Sequence, residues 1–280
     1  MFRYTVYMVK EMHKLEFKKR GKQMGRLGIG LQLYTLRDDM AKDLEGTLRH
    51  VAKLGYEGVE FAGYFDKPAA EMKELLDELG LKAIGSHVSL ERFRNDLQGE
   101  IDYLHTIGAK YAICPYVGAE ERENAEQWRK LIAECEQIAI EVGKQGLQFL
   151  YHNHDFEFHH KVDGEFVFDA MYAGKDAIQV EMDVCWVKYA GQDPLAYIAK
   201  YAGRLPLLHF KDFSKDAEGK LVTLELGLGE VPLEQVIKAA EQAGVEWLVV
   251  EQDHCQKPPL VSIENSLNWV KEHYINVVPN

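Results

Sequence analysis

Two imidazoles and two carboxylates, His152, Asp183, His209 and Glu251, each close a short apolar run in this chain. Imidazole nitrogen and carboxylate oxygen together suit a borderline divalent cation, Mn²⁺ first, with Co²⁺, Zn²⁺, Mg²⁺ or Fe²⁺ as alternatives. A cation would also relieve the repulsion between two neighbouring carboxylates, which otherwise raises a pKa. Singly, each residue has a plainer explanation. A strand-end His is most often structural, and a strand-end Asp often caps the next helix. A buried Glu is rarer, because an unpaired carboxylate is expensive to take out of water. The four together are hard to explain without a shared ion.

Bringing them together falls to the elements they close. From Leu27 onward, short apolar runs alternate with amphipathic stretches and glycine stops. Strands are expected at 29–34, 58–61, 81–87, 111–114, 147–152, 178–183, 207–210 and 247–251. Helical spacing puts Leu44, Leu48, Val51 and Leu54 on one stripe, and likewise Leu97, Ile101, Leu104 and Ile107. Further helices are expected at 70–79, through Trp128, Ile132, Cys135, Ala139 and Val142, through Leu233, Val236, Ile237 and Ala240, and at 262–273. Strand and helix in alternation imply parallel strands with helices outside. No glycine-rich phosphate fingerprint follows the first strand, where Gln32-Leu-Tyr-Thr-Leu-Arg37 stands, so an open dinucleotide-binding sheet is disfavoured. The expectation is α/β: a single-domain (β/α)8 TIM barrel over 27–280, with residues 1–26 a basic accessory extension. Active groups in such a barrel stand where its strands end.

A chain of 280 residues with 46% hydrophobic and 28% charged content can build one full core. Its net charge of −12 repels phosphate backbones, so no nucleic-acid partner is expected; a neutral sugar is unaffected. The four cysteines lack metal-finger or redox spacing and read as reduced thiols of a cytoplasmic protein. No apolar run approaches the roughly 20 residues that span a bilayer, so no membrane association is expected. A homo-oligomer is compatible with the composition.

Other polar residues at strand ends extend the candidate site. Glu251 or His154 could take a proton. Lys211, two residues past His209, would face the same way and neutralise developing negative charge, unless a salt bridge to Asp212 or another carboxylate occupies it. Glu60, His87 and Glu157 could hydrogen-bond substrate hydroxyls, and Tyr34 and Trp186 could form apolar walls, core packing being the alternative for both aromatics. His159 and His160 lie past the motif. The polar stretch 214–229 reads as a lid or a plain hairpin.

At these residues the chain resembles the xylose isomerase-like TIM barrels known as sugar phosphate isomerases/epimerases, over about Leu27 to Tyr274. The markers are Gly30-Leu-Gln-Leu-Tyr-Thr35, Gly55-Tyr-Glu-Gly-Val-Glu60, Val180-Glu-Met-Asp183, His209-Phe-Lys-Asp212 and Val250-Glu-Gln-Asp253. They mark the superfamily, not a substrate. The resemblance implies one divalent metal held by Glu, Asp, His and Glu from strands five to eight. Asp183, His209 and Glu251 match; at strand five, where many relatives read Glu-Asn-His, this chain has His152-Asn153-His154. His152 is then the replacement ligand, with Glu157 as a second candidate. The departure resembles the branch containing inosose dehydratases and enzymes of 3-keto sugars.

The expected function is a metal-dependent sugar isomerase or epimerase working on a keto sugar or related polyol through an enediolate. The alternatives are a dehydratase or lyase of inosose or 3-keto-glycoside type, a non-catalytic sugar-binding barrel, and an apurinic nuclease, which the charge disfavours.

Overall fold

The computed structural model describes residues 26–277. The expected extension, apart from Arg26, lies outside the described residues. The barrel strands are β1 (Gly28–Gln32), β2 (Gly58–Phe61), β3 (Lys82–His87), β4 (Tyr111–Cys114), β5 (Gln148–His152), β6 (Ile178–Asp183), β7 (Leu207–Phe210) and β8 (Trp247–Val250). Each pairs in parallel with its sequence neighbours, and β1 also pairs with β8, which closes the cylinder. The protein is a (β/α)8 TIM barrel.

The helices outside are α1 (Leu44–Leu54), α2 (Ala69–Leu79), α3 (Leu90–Ile107), α4 (Ala125–Lys144), α5 (Val167–Tyr172), α6 (Pro194–Lys200), α7 (Leu233–Ala243) and α8 (Pro259–Val270). α1 shows how the sequence sets them. Asp43 caps its start by accepting from Gly46 N at 2.9 Å. Leu48 and Val51 are buried against the barrel, and Gly55 ends the helix at φ 105°, a left-handed conformation that favours glycine.

The barrel floor is filled from inside by Ile84, Tyr111, Ile113, Leu150, Leu207 and Val249, with Trp247 packed on them. Glycines give these side chains room: a Cβ at Gly28 would stand 2.4 Å from the Trp247 ring, and one at Gly85 2.6 Å from the Ile113 side chain. Among the described residues no helix is long and apolar enough to cross a membrane.

Several element bounds shift from the sequence expectation by a few residues. β1 stops at Gln32 rather than residue 34, because the Gln32 side chain accepts from Tyr34 N at 3.0 Å and draws the chain into a 3₁₀ turn, Leu33–Leu36. α8 begins at Pro259, a residue suited to a first helical position, three residues before the expected start. The stretch 214–229 holds the plain hairpin: Asp212–Lys215 pairs antiparallel with Leu221–Leu224. A second small hairpin, Lys161–Val162 with Glu165–Phe166, was not expected; it turns on Asp163 and Gly164, both at positive φ.

Candidate metal centre and active site

Side chains alternate in and out along a strand. In β5 to β8 this turns His152, Glu181 with Asp183, His209 and then Lys211, and Glu251 toward the barrel axis. His152, Asp183, His209 and Glu251 each offer a ligand atom, and these atoms all lie within 4.8 Å of one another. All four residues are buried. Asp183 caps a helix, as the sequence suggested, and keeps one oxygen inward. Its Oδ1 accepts from Cys185 N (2.9 Å) and Trp186 N (3.1 Å), capping the short helix Val184–Tyr189, while Oδ2 turns inward. Asn153, which the sequence reading passed over, ties β5 to β6: its Oδ1 accepts from Asp183 N at 2.9 Å.

Lys211 is fully buried among acids, with Nζ 2.6 Å from Glu251 Oε2, 2.8 Å from Asp183 Oδ2 and 2.9 Å from Asp253 Oδ2. Burial opposes its charge, but Asp183, Asp253 and Glu251 outweigh burial and hold the ammonium well above its usual pKa. Burial likewise opposes the Glu251 carboxylate, yet Lys211 and His209 keep it well below the ordinary range. Asp212 is not the partner of Lys211. It faces the other way and accepts from the backbone N–H of Phe213, Gly227, Gly229 and Val231 at 2.9–3.1 Å.

Glu60 and His87, expected to reach sugar hydroxyls, are tied to Gln32, Glu181 and His209. Glu60 Oε1 accepts from Gln32 Nε2 (2.6 Å) and stands 2.8 Å from His209 Nε2 and 3.0 Å from His87 Nε2. Glu181 joins them. Its Oε2 is 2.7 Å from His87 Nε2, 3.2 Å from His152 Nδ1 and 3.4 Å from His209 Nε2. Burial lowers the His87 imidazole, but Glu60 and Glu181 more than reverse this and bring it up to about 9. His209 is raised well above its usual value against burial, by Glu181, Glu60 and Glu251. His152 goes the other way, lowered by burial and then by the cations around it, which leaves it the neutral imidazole a metal needs. Period-two alternation back from Asp183 was the signal that would have found Glu181.

Glu157, the second strand-five candidate, is not brought into the group of His152, Asp183, His209 and Glu251. The chain turns through the 3₁₀ segment Phe156–Phe158, and both carboxylate oxygens are taken, Oε1 by Tyr151 Oη (2.7 Å) and Oε2 by His154 N (2.9 Å). Tyr151 belongs to the outward face of β5, so Glu157 is packed behind the strand. Burial raises its carboxyl to about 7.

An aromatic wall continues from the metal set. The His154 ring lies 5.2 Å from His152, stacks on Phe156 at 5.3 Å, and meets Trp186 at 5.3 Å and Tyr116 edge-on at 5.4 Å. Burial and then Lys211 lower His154 to about 3, so its imidazole is neutral. Trp186 is partly buried, with Lys211 Nζ 5.6 Å from its ring centre. Tyr34 is exposed, under the Arg37 guanidinium at 4.3 Å. His159 is exposed and His160 half-buried.

The residues fit a divalent ion. Four fully or nearly fully buried carboxylates, Glu60, Glu181, Asp183 and Glu251, face one permanent cation, Lys211, and the imidazoles of His87, His152 and His209. Excess buried negative charge of this kind is what a metal offsets.

A profile of the xylose isomerase-like TIM barrels matches residues 48–273. An inosose dehydratase of Clostridium beijerinckii is 21% identical over 278 residues, spanning 84% of this chain and 91% of the relative. A solved sugar phosphate isomerase/epimerase from Parabacteroides distasonis superposes with TM-score 0.73 at 21% identity, covering 89% of this chain and 95% of that one. The zinc-bound IolI protein superposes at TM-score 0.72 with 13% identity, covering 91% of this chain and 100% of that one.

Proposed function

Because the chain belongs to the xylose isomerase-like TIM barrel family, we propose that it is a divalent-metal-dependent isomerase or epimerase of a keto sugar or related polyol. The observation that carries this reading is the convergence of His152, Asp183, His209 and Glu251, with ligand atoms within 4.8 Å of one another at the ends of four adjacent strands. A bound ion, Mn²⁺ or another divalent metal, would polarise the substrate carbonyl and offset charge on its oxygen. The IolI protein, of the same fold, binds a zinc atom, which supports a divalent metal in this chain.

The chain's own residues would do the rest. Glu251 or the neutral His154 takes the proton from the carbon beside the carbonyl, and the electron pair moves onto the carbonyl oxygen, giving an enediolate. The Lys211 ammonium contributes fixed positive charge beside that oxygen. Trp186, Tyr116 and Tyr34 supply apolar surface for the ring face of a sugar. Returning the proton to a neighbouring carbon isomerises the substrate; returning it to the opposite face epimerises it.

A second reading, loss of water from the same enediolate, draws support from the relative named inosose dehydratase. Incubation with keto sugars and inososes in D₂O, with Mn²⁺, Co²⁺ or Zn²⁺ supplied, separates the two. Deuterium at the carbon next to the carbonyl, with mass otherwise unchanged, is the expected result. Loss of a water mass from an inosose would replace it with the dehydratase. Sugar binding without exchange or elimination would leave only a sugar-binding barrel.

A further inference from the structure

We propose that Glu181 is a positioning residue that fixes His152 to present Nε2, and with Glu60 fixes His209 to present Nδ1, so that the two imidazoles meet the metal through different nitrogens. The inference rests on His152, Asp183, His209 and Glu251 being the metal set.

A histidine that binds a metal through one nitrogen commonly donates the other N–H to a carboxylate, and that partner decides which nitrogen is left for the metal. Here the partners lie one layer below the metal set. His152 Nδ1 stands in ion-pair contact with Glu181 Oε2 at 3.2 Å, so Nε2 is the nitrogen on the free side of the ring. His209 turns Nε2 to Glu60 Oε1 at 2.8 Å and to Glu181 Oε2 at 3.4 Å. Its Nδ1 lies on the opposite side, 2.9 Å from Glu251 Oε2 and so among the other ligand groups. His87 holds the pedestal together. Its Nε2 is 2.7 Å from Glu181 and 3.0 Å from Glu60, so one imidazole clamps both carboxylates. Gln32 fixes Glu60 from β1 at 2.6 Å. All of these groups are at least nine-tenths buried, so water does not compete for their hydrogen bonds.

The pedestal also answers a charge question. A neutral imidazole brings no negative charge to an ion, and Asp183 and Glu251 each share theirs with Lys211. Glu181, reaching the ion through the His152 ring, makes that ring a more basic ligand without entering the coordination shell. The outward side chains of β6 cannot do this; position 181 can, because it shares the inward parity of Asp183.

Two measurements test it. In the full chain loaded with Zn²⁺, long-range ¹H–¹⁵N spectra of the histidine rings should show His152 protonated at Nδ1 and His209 protonated at Nε2. Zinc on His152 Nδ1, or two zinc ions per chain with His87 also ligating, would overturn the inference. Separately, Co²⁺ and Zn²⁺ affinity by competition with a chromophoric chelator should fall roughly 10–100-fold in Glu181→Gln, which keeps the side-chain shape and removes its charge. Unchanged affinity and an unchanged cobalt visible spectrum in that variant would also overturn it. Asp183→Asn is the control: if it binds metal as the unmodified chain does, the metal set itself is wrong, whatever Glu181 does. If Glu181→Gln does not fold, the ring spectra of the unmodified protein decide.

Discussion

Glu157 shows how far one buried side chain can move a pH profile. Its carboxyl is raised to about 7 by burial. The folded chain therefore holds this proton more tightly than the unfolded chain, whose glutamates titrate near 4.5. The stabilisation is full below about pH 4.5 and is lost as pH rises through about 7. The loss is at most about 3 kcal/mol, from a shift of roughly 2.5 units. Glu157→Gln should flatten this trend: urea unfolding should show it more stable than the unmodified protein at pH 8 and no more stable at pH 4. Equal slopes for both proteins between those pH values would refute the assignment. The residue also marks the limit of reading chemistry from proximity. Three positions from His154, it looked like a ligand, but the turn at Phe156–Phe158 carries it behind β5. His152, Asp183, His209 and Glu251 were legible because each polar group interrupts an apolar run at its end. Glu181 was not singled out, since it sits inside its run and only the in–out alternation gives it away. For Glu60 and His87 the sequence showed strand ends facing inward but not how deep they lie.

At the scale of elements, the loop after β7 depends on Asp212. Four backbone N–H groups, from Phe213, Gly227, Gly229 and Val231, donate to its carboxylate. A Cβ at Gly229 would stand 2.3 Å from Asp212 Oδ1, so the chain approaches too closely there for any other residue. Asp212→Ala strips the acceptor from four donors at once, and unsatisfied buried groups cost about 1–3 kcal/mol each. Phe213 and Val231 are buried and Gly227 and Gly229 exposed, so the variant should lose at least about 2 kcal/mol in urea unfolding, with faster amide exchange concentrated at 213–231. Uniformly faster exchange over the whole barrel, or none, would argue against a local anchor. This carboxylate network was invisible to a pattern of apolar spacing. The eight repeating units were visible, because long amphipathic helices such as α3 and α4 carry strong periodicity and end at glycine or a turn. α5 and α6, of six and seven residues, are too short to show it. The Asp163–Gly164 pair was a legible hairpin signal that the apolar rhythm of the neighbouring strands obscured.

For the molecule as a whole, the closed strand order was foreseeable from eight alternating units, while the packing of the floor was not. Which side chains fill it depends on strand tilt and on the glycines at positions 28, 58 and 85, which let Trp247, Ile84 and Ile113 lean across. That sealed floor has a consequence for traffic. On the proposed function, ion and sugar would both enter at the strand ends, where His152, Asp183, His209 and Glu251 gather, and the ion would seat below the sugar. Loading would then be ordered, the ion entering first and a seated polyol corking it in. Extraction of bound Zn²⁺ by a chelator should slow several-fold when a saturating polyol occupies the mouth, followed by stopped-flow absorbance. An extraction rate indifferent to the polyol would mean a back door that the glycine-seated tryptophan does not shut.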